Sequence, residues 1–210
     1  MDRERITISI KKHVLSLIDK QIDGVNIRNR SHAIESFTLK LLNENASFKA
    51  VVLLGGDNAL KSVRGAVDFI NKLSDHNISD IIIATGFLGD KVKERIDKEK
   101  VNEISLRYSD KGEGSGGALL SLKKDLGDVF IVFNNKENLN LDIDELISYH
   151  RQHNALVTVA TSDLSSLDGI YVFNSEVFKY FPKGYSMIQE DIFSRLIKEG
   201  KLVVYPVISE

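Results

Sequence analysis

"KAVVLLGGDNALKS", residues 49–62, opens on an unbroken apolar run after Lys49 and breaks at two glycines. A continuous run, with no polar alternation, marks a strand buried on both faces. The same signature recurs down the chain in "SDIIIATG" (79–86), "DVFIVFNN" (128–135), "ALVTVAT" (155–161), "GIYVF" (169–173) and "KLVVYPV" (201–207), with a weaker copy in "ISLRYS" (104–109). Helical patterns separate these runs: "GAVDFINKLSDHNI" (65–78), "DKVKERIDKE" (90–99), "GSGGALLSLKKDL" (114–126), "DIDELISYHRQHN" (142–154) and "IQEDIFSRLIKEG" (188–200). Strands alternating with helices predict an α/β layer fold with a mainly parallel sheet over residues 49–210.

Upstream of this rhythm the pattern changes. In "RERITISIKK" (3–12), Ile6, Ile8 and Ile10 alternate with Arg5, Thr7 and Ser9, which predicts a strand with one apolar and one polar face. "KKHVLSLIDKQIDG" (11–24) reads as a helix stopped by Gly24. "NRSHAIESFTLKLLNE" (29–44) reads as a second helix with Asn29 as its N-cap. Residues 1–45 form one expected domain, and the short polar "NENASF" (43–48) is its linker to the next. So short a segment buries too little to fold alone. A second copy of the chain supplies the missing strand, giving an antiparallel ribbon under four helices. The polar face of that ribbon fits the major groove of DNA.

Residues 3–43 thus resemble the ribbon-helix-helix family of DNA-binding proteins. The resemblance implies a homodimer on a palindromic site in double-stranded DNA. Arg5, Thr7 and Ser9 would read bases, and Asn29, Arg30 and Ser31 would hold phosphate at the start of the second helix. Lys11 and Lys12 are phosphate contacts or a solvated basic turn. The bland alternative is an edge strand with exposed Thr and Ser. The charge agrees with either: residues 1–45 carry 8 basic and 6 acidic residues, the remainder 20 and 24.

Residues 49–207 resemble the sugar-1-phosphate nucleotidyltransferases, through "KAVVLLGG", "ATGFLGDKVKERI", "GSGGALLSLKK", the stretch "VFIVFNNKENLNLDIDELISYHRQHNALVTVA", "GIYVFNSEVFKYFPKG" and "EDIFSRLIKEGKLVVYPV". That family joins a sugar phosphate to a nucleoside triphosphate, chemistry that needs a divalent cation and cationic side chains on the phosphates. The sequence departs from the family at each such place. Gly55 and Gly56 remain, but the Gly-Thr-Arg after them is replaced by "DNALKSVRGAV", which puts Asp57 where phosphate would lie. The metal-binding Asn-Gly-Asp turn reads Asn134-Asn135-Lys136. "VATSDLSSLDGIYVF" bridges a stretch that normally carries a sugar-contacting Glu-Lys-Pro. The chain ends at Glu210, before a second metal Asp is expected.

These departures predict a domain without transferase activity, metal or cofactor. A nucleotide or sugar-nucleotide pocket remains an expectation. Gly55, Gly56, Gly114, Ser115, Gly116 and Gly117 would let a ligand approach the backbone, or only make tight turns. Lys136 would replace the metal charge on a phosphate, or is only a solvated turn residue. The acidic "DIDE" (142–145) reads as a helix start, and His150 and His153 as surface residues. The whole reads as a dimeric, sequence-specific transcriptional regulator with an inactive nucleotidyltransferase-like domain. One alternative makes that domain an oligomerisation or partner-docking module. Another makes the chain an atypical transferase dimerised by its N-terminus. Cys is absent, and no run reaches the roughly 20 apolar residues of a membrane helix, so the expected location is cytoplasmic, with no membrane partner.

Overall fold

The computed structural model describes residues 5–24, 27–41, 48–99, 101, 104–134 and 141–207. The chain divides into two units, Met1–Asn45 and Ala46–Glu210. Among the described residues no helix is long and apolar enough to cross a membrane.

The first unit contains two helices, α1 (Lys12–Asp19) and α2 (Arg30–Leu41). Ile18 of α1 and Ala33 of α2 are buried. The Asn29 side chain accepts from the backbone N–H of His32 at 3.0 Å, satisfying one of the free donors at the start of α2. Gly24 takes the left-handed conformation, φ 76°, that the predicted stop requires, but α1 has already ended at Asp19. The strand expected over residues 5–10 is not formed in the single chain, and no ribbon is seen. Its backbone N–H and C=O groups need a ladder partner, and the described part of this unit supplies only helices.

The second unit is built on seven strands: β1 (Lys49–Leu53), β2 (Asp80–Ala84), β3 (Leu106–Ser109), β4 (Val129–Asn134), β5 (Val157–Thr161), β6 (Gly169–Asn174) and β7 (Leu202–Pro206). They form one sheet in the order β3-β2-β1-β4-β6-β5-β7. All neighbours run parallel except β6, which is antiparallel to both β4 and β5. The sheet is therefore mixed but mostly parallel. The helices are α3 (Ala59–Asp75), α4 (Gly89–Ile96), α5 (Gly114–Ser121), α6 (Ile143–His153) and α7 (Ser194–Lys198). A 3-10 segment (Ser175–Tyr180) and a π-helical turn (Ile188–Phe193) precede α7.

Alternate residues of the strands feed two separate cores. Ala50, Val52, Ile81 and Ile83 belong to one face with α3, α4 and α6, where Phe69 stacks on Phe133 at 4.9 Å. Val51, Phe130, Val132 and Tyr171 belong to the other with Leu119, Ile192 and Leu196. The central strands read as unbroken apolar runs because both of their faces are covered. Helix α3 buries Ala59, Val63, Ala66, Val67, Ile70 and Leu73, a stripe at helical spacing. Asp142 caps α6 by accepting from the Glu145 N–H at 2.9 Å, as the acidic start suggested.

His150 is not a surface residue. It is buried in α6, with Nδ1 2.8 Å from the Thr158 hydroxyl. Burial, with a smaller contribution from the neighbouring Arg151 charge, lowers its pKa from 6.5 to about 4. The folded state thus keeps a neutral imidazole that the unfolded chain protonates below pH 6.5. The corresponding stability is fully present above that pH and is lost as pH falls toward 4, by about 3 kcal/mol. Urea unfolding across this range should show that loss in the wild type. A His150→Leu/Thr158→Val double variant, which removes both partners, should fall less steeply by that amount. Equal acid sensitivity of the two proteins would reject the assignment.

Candidate functional site

Strand β1 hydrogen-bonds on both sides, to β2 and to β4. From β1 the chain winds outward through β2 and β3, while β4 begins the opposite half of the sheet. Such a reversal leaves a crevice beyond the carboxyl ends of the two central strands. A cavity of about 240 Å³ lies there. One side consists of Leu53 and Leu54 at the end of β1, the loop from Gly55 to Asn58, and Ala59 and Ser62 of α3. Asn134, the last residue of β4, and Asp168, just before β6, complete it.

The glycine loop has two distinct reasons for its composition. Gly56 has φ 74°, a conformation that side chains with a Cβ rarely adopt. At both Gly55 and Gly56 an added Cβ would meet nothing within 4 Å, so the space over the loop is open rather than filled by the protein. Asp57 and Asn58 follow and are exposed, and Asn58 makes no side-chain cap to α3. Among the described lining residues the charged side chains are Asp57 and Asp168, with no Lys or Arg. Lys61 and Arg64 point from exposed positions of α3.

The facing side is held by hydrogen bonds from the core. Tyr171 is fully buried, and its hydroxyl donates to the Leu167 carbonyl at 2.9 Å. The same oxygen accepts from Asn134 Nδ2 at 3.2 Å and from Gln189 Nε2 at 3.0 Å. Gln189 Nε2 also donates to Asp168 Oδ1 at 2.8 Å. Burial, the largest influence, raises the Tyr171 pKa, so the hydroxyl stays protonated.

The expected site residues separate in this structure. Gly55 and Gly56 line the cavity. Gly114, Ser115, Gly116 and Gly117 do not; they form the first half of α5, and the chain itself fills the space beside three of them. A Cβ on Gly114 would sit 2.3 Å from the Ser186 carbonyl oxygen, one on Gly116 2.5 Å from Ser186 Oγ, and one on Gly117 2.9 Å from the Gly184 carbonyl oxygen. The Ser186 carbonyl accepts from the Gly116 and Gly117 N–H groups at 2.8 and 3.3 Å, and Ser115 Oγ accepts from the Ile188 N–H at 3.0 Å. Close packing therefore gives these glycines a structural reason, as the tight-turn alternative had it. Lys136 lies outside the described residues.

The described cleft offers oxygen donors of the type a divalent cation takes, the Asp57 and Asp168 carboxylates and the Asn134 side-chain oxygen. Asn134 stands where the resemblance puts the start of a metal-binding turn, and its amide nitrogen is committed to Tyr171. Among the described residues the three-membered cluster of ligand type is His76, Asp142 and Asp144, none of which lines the cavity. There Asp142 caps α6 and Asp144 pairs with His76 at 3.0 Å.

In the first unit, Arg5, Thr7 and Ser9 are exposed, as is Ser31. Arg30 is engaged: Nε and Nη2 grip the two Asp19 carboxylate oxygens at 2.7 and 2.8 Å, joining the end of α1 to the start of α2. That fork competes with a phosphate for the guanidinium.

No protein-family model matches the chain. A protein of Bacillus subtilis (strain 168) described as "Probable glucose-1-phosphate cytidylyltransferase" is 25% identical, over a match covering 75% of this chain and 79% of its own. The crystal structure of HddC from Yersinia pseudotuberculosis superposes with a TM-score of 0.60 at 14% identity, covering 76% of this chain and 90% of that one. The same protein complexed with GMP-PN gives 0.58 at 14% identity, with 77% and 92% covered. The second unit has the nucleotidyltransferase fold.

Proposed function

We propose that the second unit binds a sugar nucleotide, or the sugar phosphate and nucleotide from which one is made, and does not convert it. The observation that carries this reading is the open glycine loop leading into α3 at the sheet crossover, faced by two polar side chains locked in place from the core. The likeness to a cytidylyltransferase and to a structure holding a nucleotide analogue supports the ligand class. The charge of the cleft argues against turnover. In-line transfer builds negative charge on the phosphates, and the described lining residues include no Lys or Arg to take it up; unless a divalent cation is held between them, the two carboxylates add to the repulsion.

Isothermal titration with CTP, glucose 1-phosphate and cytidine diphosphate glucose tests binding, and release of pyrophosphate from CTP and glucose 1-phosphate with Mg²⁺ tests conversion. The expected outcome is saturable binding without pyrophosphate. A Gly56→Val variant, which strains a backbone at φ 74° and fills the open space, should bind at least about tenfold more weakly. Steady pyrophosphate release would make the chain an atypical transferase. Failure of every ligand to bind would favour a docking or oligomerisation role.

A second reading concerns the first unit. Ile6 is 72% and Ile8 50% exposed, directly ahead of a helix pair, so one chain leaves unburied the apolar side of an alternating segment. Pairing with the same segment of a second copy would bury it and supply the missing ladder, leaving Arg5, Thr7 and Ser9 on the outer face for the major groove of DNA. On this reading the protein is a dimeric DNA-binding regulator that responds to a bound nucleotide or sugar nucleotide. Such a response requires unequal ligand affinities in the free and DNA-bound states.

Sedimentation and mobility-shift measurements separate the two faces of that segment. An Arg5→Ala/Thr7→Ala/Ser9→Ala variant should stay dimeric and lose its preference for one DNA site over competitor. An Ile6→Glu/Ile8→Glu variant should become monomeric and lose both. Retained site preference in the triple variant would overturn the reading.

A further inference from the structure

The hydrogen-bond capacity of Tyr171 decides what the cleft offers a ligand. A phenol has one hydrogen and two acceptor positions. Here the hydrogen goes to the Leu167 carbonyl, and both acceptor positions are taken by amide N–H groups of Asn134 and Gln189. The hydroxyl is saturated and has no access to solvent. Because its own hydrogen is committed, each amide must turn its nitrogen toward it. Asn134 therefore keeps its carbonyl oxygen Oδ1 unspent by this network. Asp168 receives Gln189 on Oδ1 and keeps Oδ2. Both residues line the cavity. The facing side of the cleft thus presents acceptors, one of them charged.

Two local features show that this placement is held against resistance. Leu167 has φ 54°, in the left-handed region that a leucine rarely occupies, and it is this residue whose carbonyl takes the Tyr171 hydrogen. Gln189 sits in a π-helical turn, Ile188–Phe193, a rare arrangement that is frequent at functional sites. Strain at Leu167 and an irregular helix at Gln189 meet on a single buried hydroxyl.

An acceptor-rich surface with a carboxylate takes groups that donate hydrogen bonds and repels phosphate. We infer that Asp168 and Asn134 receive the hydroxyl groups of a sugar ring, with the charged part of the ligand held away from them, and that Tyr171 is the positioning residue for both. This rests on the binding reading above and adds which part of the ligand the cleft reads and through which atoms.

The test compares cytidine diphosphate glucose with cytidine diphosphate, which lacks the sugar and carries one further phosphate ionisation, on the full chain by isothermal titration; Tyr171→Phe, which changes no charge, separates the two differences. The wild type should bind the sugar nucleotide at least about tenfold more tightly, the margin of a hydrogen bond to a charged group. Asp168→Asn keeps the shape and an acceptor for Gln189, but turns a donor toward the cleft. Tyr171→Phe removes the hub while keeping the ring, with folding checked by thermal melting. Both should erase the preference for the sugar nucleotide without weakening cytidine diphosphate, and Asp168→Asn, which removes a charge that repels phosphate, should if anything tighten it. An unchanged preference in a folded variant, or an equal fall for both ligands, would overturn the assignment while leaving the binding reading intact. If the wild type binds neither ligand, both fall together. If it binds both equally, only the sugar assignment falls.

Discussion

The pairing of β1 with β4 is the contact on which the second unit depends. Both strands are parallel, both are covered on two faces, and the chain reaches β4 only after completing the β2–β3 half of the sheet. Four registered pairs, from Lys49 opposite Phe130 to Val52 opposite Phe133, set the ends of the two strands side by side. Because the windings then diverge, no helix covers those ends, and the glycine loop and Asn134 come to share one opening. The cavity is a consequence of topology before any side chain is chosen. Side chains then decide what it holds.

The antiparallel strand β6 completes the arrangement. It pairs with β4 so that Asn134 lies opposite Gly169, which brings Asp168 next to the end of β4. Gly169 is constrained as well: a Cβ there would lie 2.1 Å from the Ala160 carbonyl oxygen of β5. The close approach of β5 and β6 at this point thus excludes side chains, and the polar group immediately before it is left at the mouth. The loop ahead is tied down internally, with the Asp163 carboxylate accepting from the Ser165 N–H and hydroxyl at 2.8 and 2.6 Å. A short, cross-linked loop fixes Asp168 better than a long one would.

The strands were legible because burial on two faces writes itself as consecutive apolar residues, and all seven runs found from residue 49 onward are strands. The helix stop at Gly24 was visible as a glycine, though α1 ends five residues early, where Asp19 is drawn into the Arg30 fork. The site was legible only in its glycine loop. "GSGG" looked like a second such loop, yet what those glycines accommodate is the backbone of Gly184 and Ser186 and the Ser186 side chain, a contact some 70 residues away in the chain that no local pattern reports. Asp168 was missed because "SSLDG" reads as an ordinary turn. Tyr171 was missed because a tyrosine within an apolar strand reads as core, which it also is. The signal that would have found them is the polar hydroxyl itself: a fully buried phenol needs partners, and here they include Asn134 at the cleft and Gln189, which in turn holds Asp168.

The first unit poses the opposite problem. Its alternating isoleucines were legible, but a strand needs a paired neighbour, and residues 5–10 form none in the described structure. Exposed Ile6 and Ile8 cost solvent-exposed apolar area that the two helices, with Ile18 and Ala33 buried, do not recover. On the dimer reading, the strict alternation of residues 5–10 serves pairing with the same segment of a second copy. The polar residues between the isoleucines are then outward-facing by geometry, because a period of two admits no other placement once the apolar side is covered.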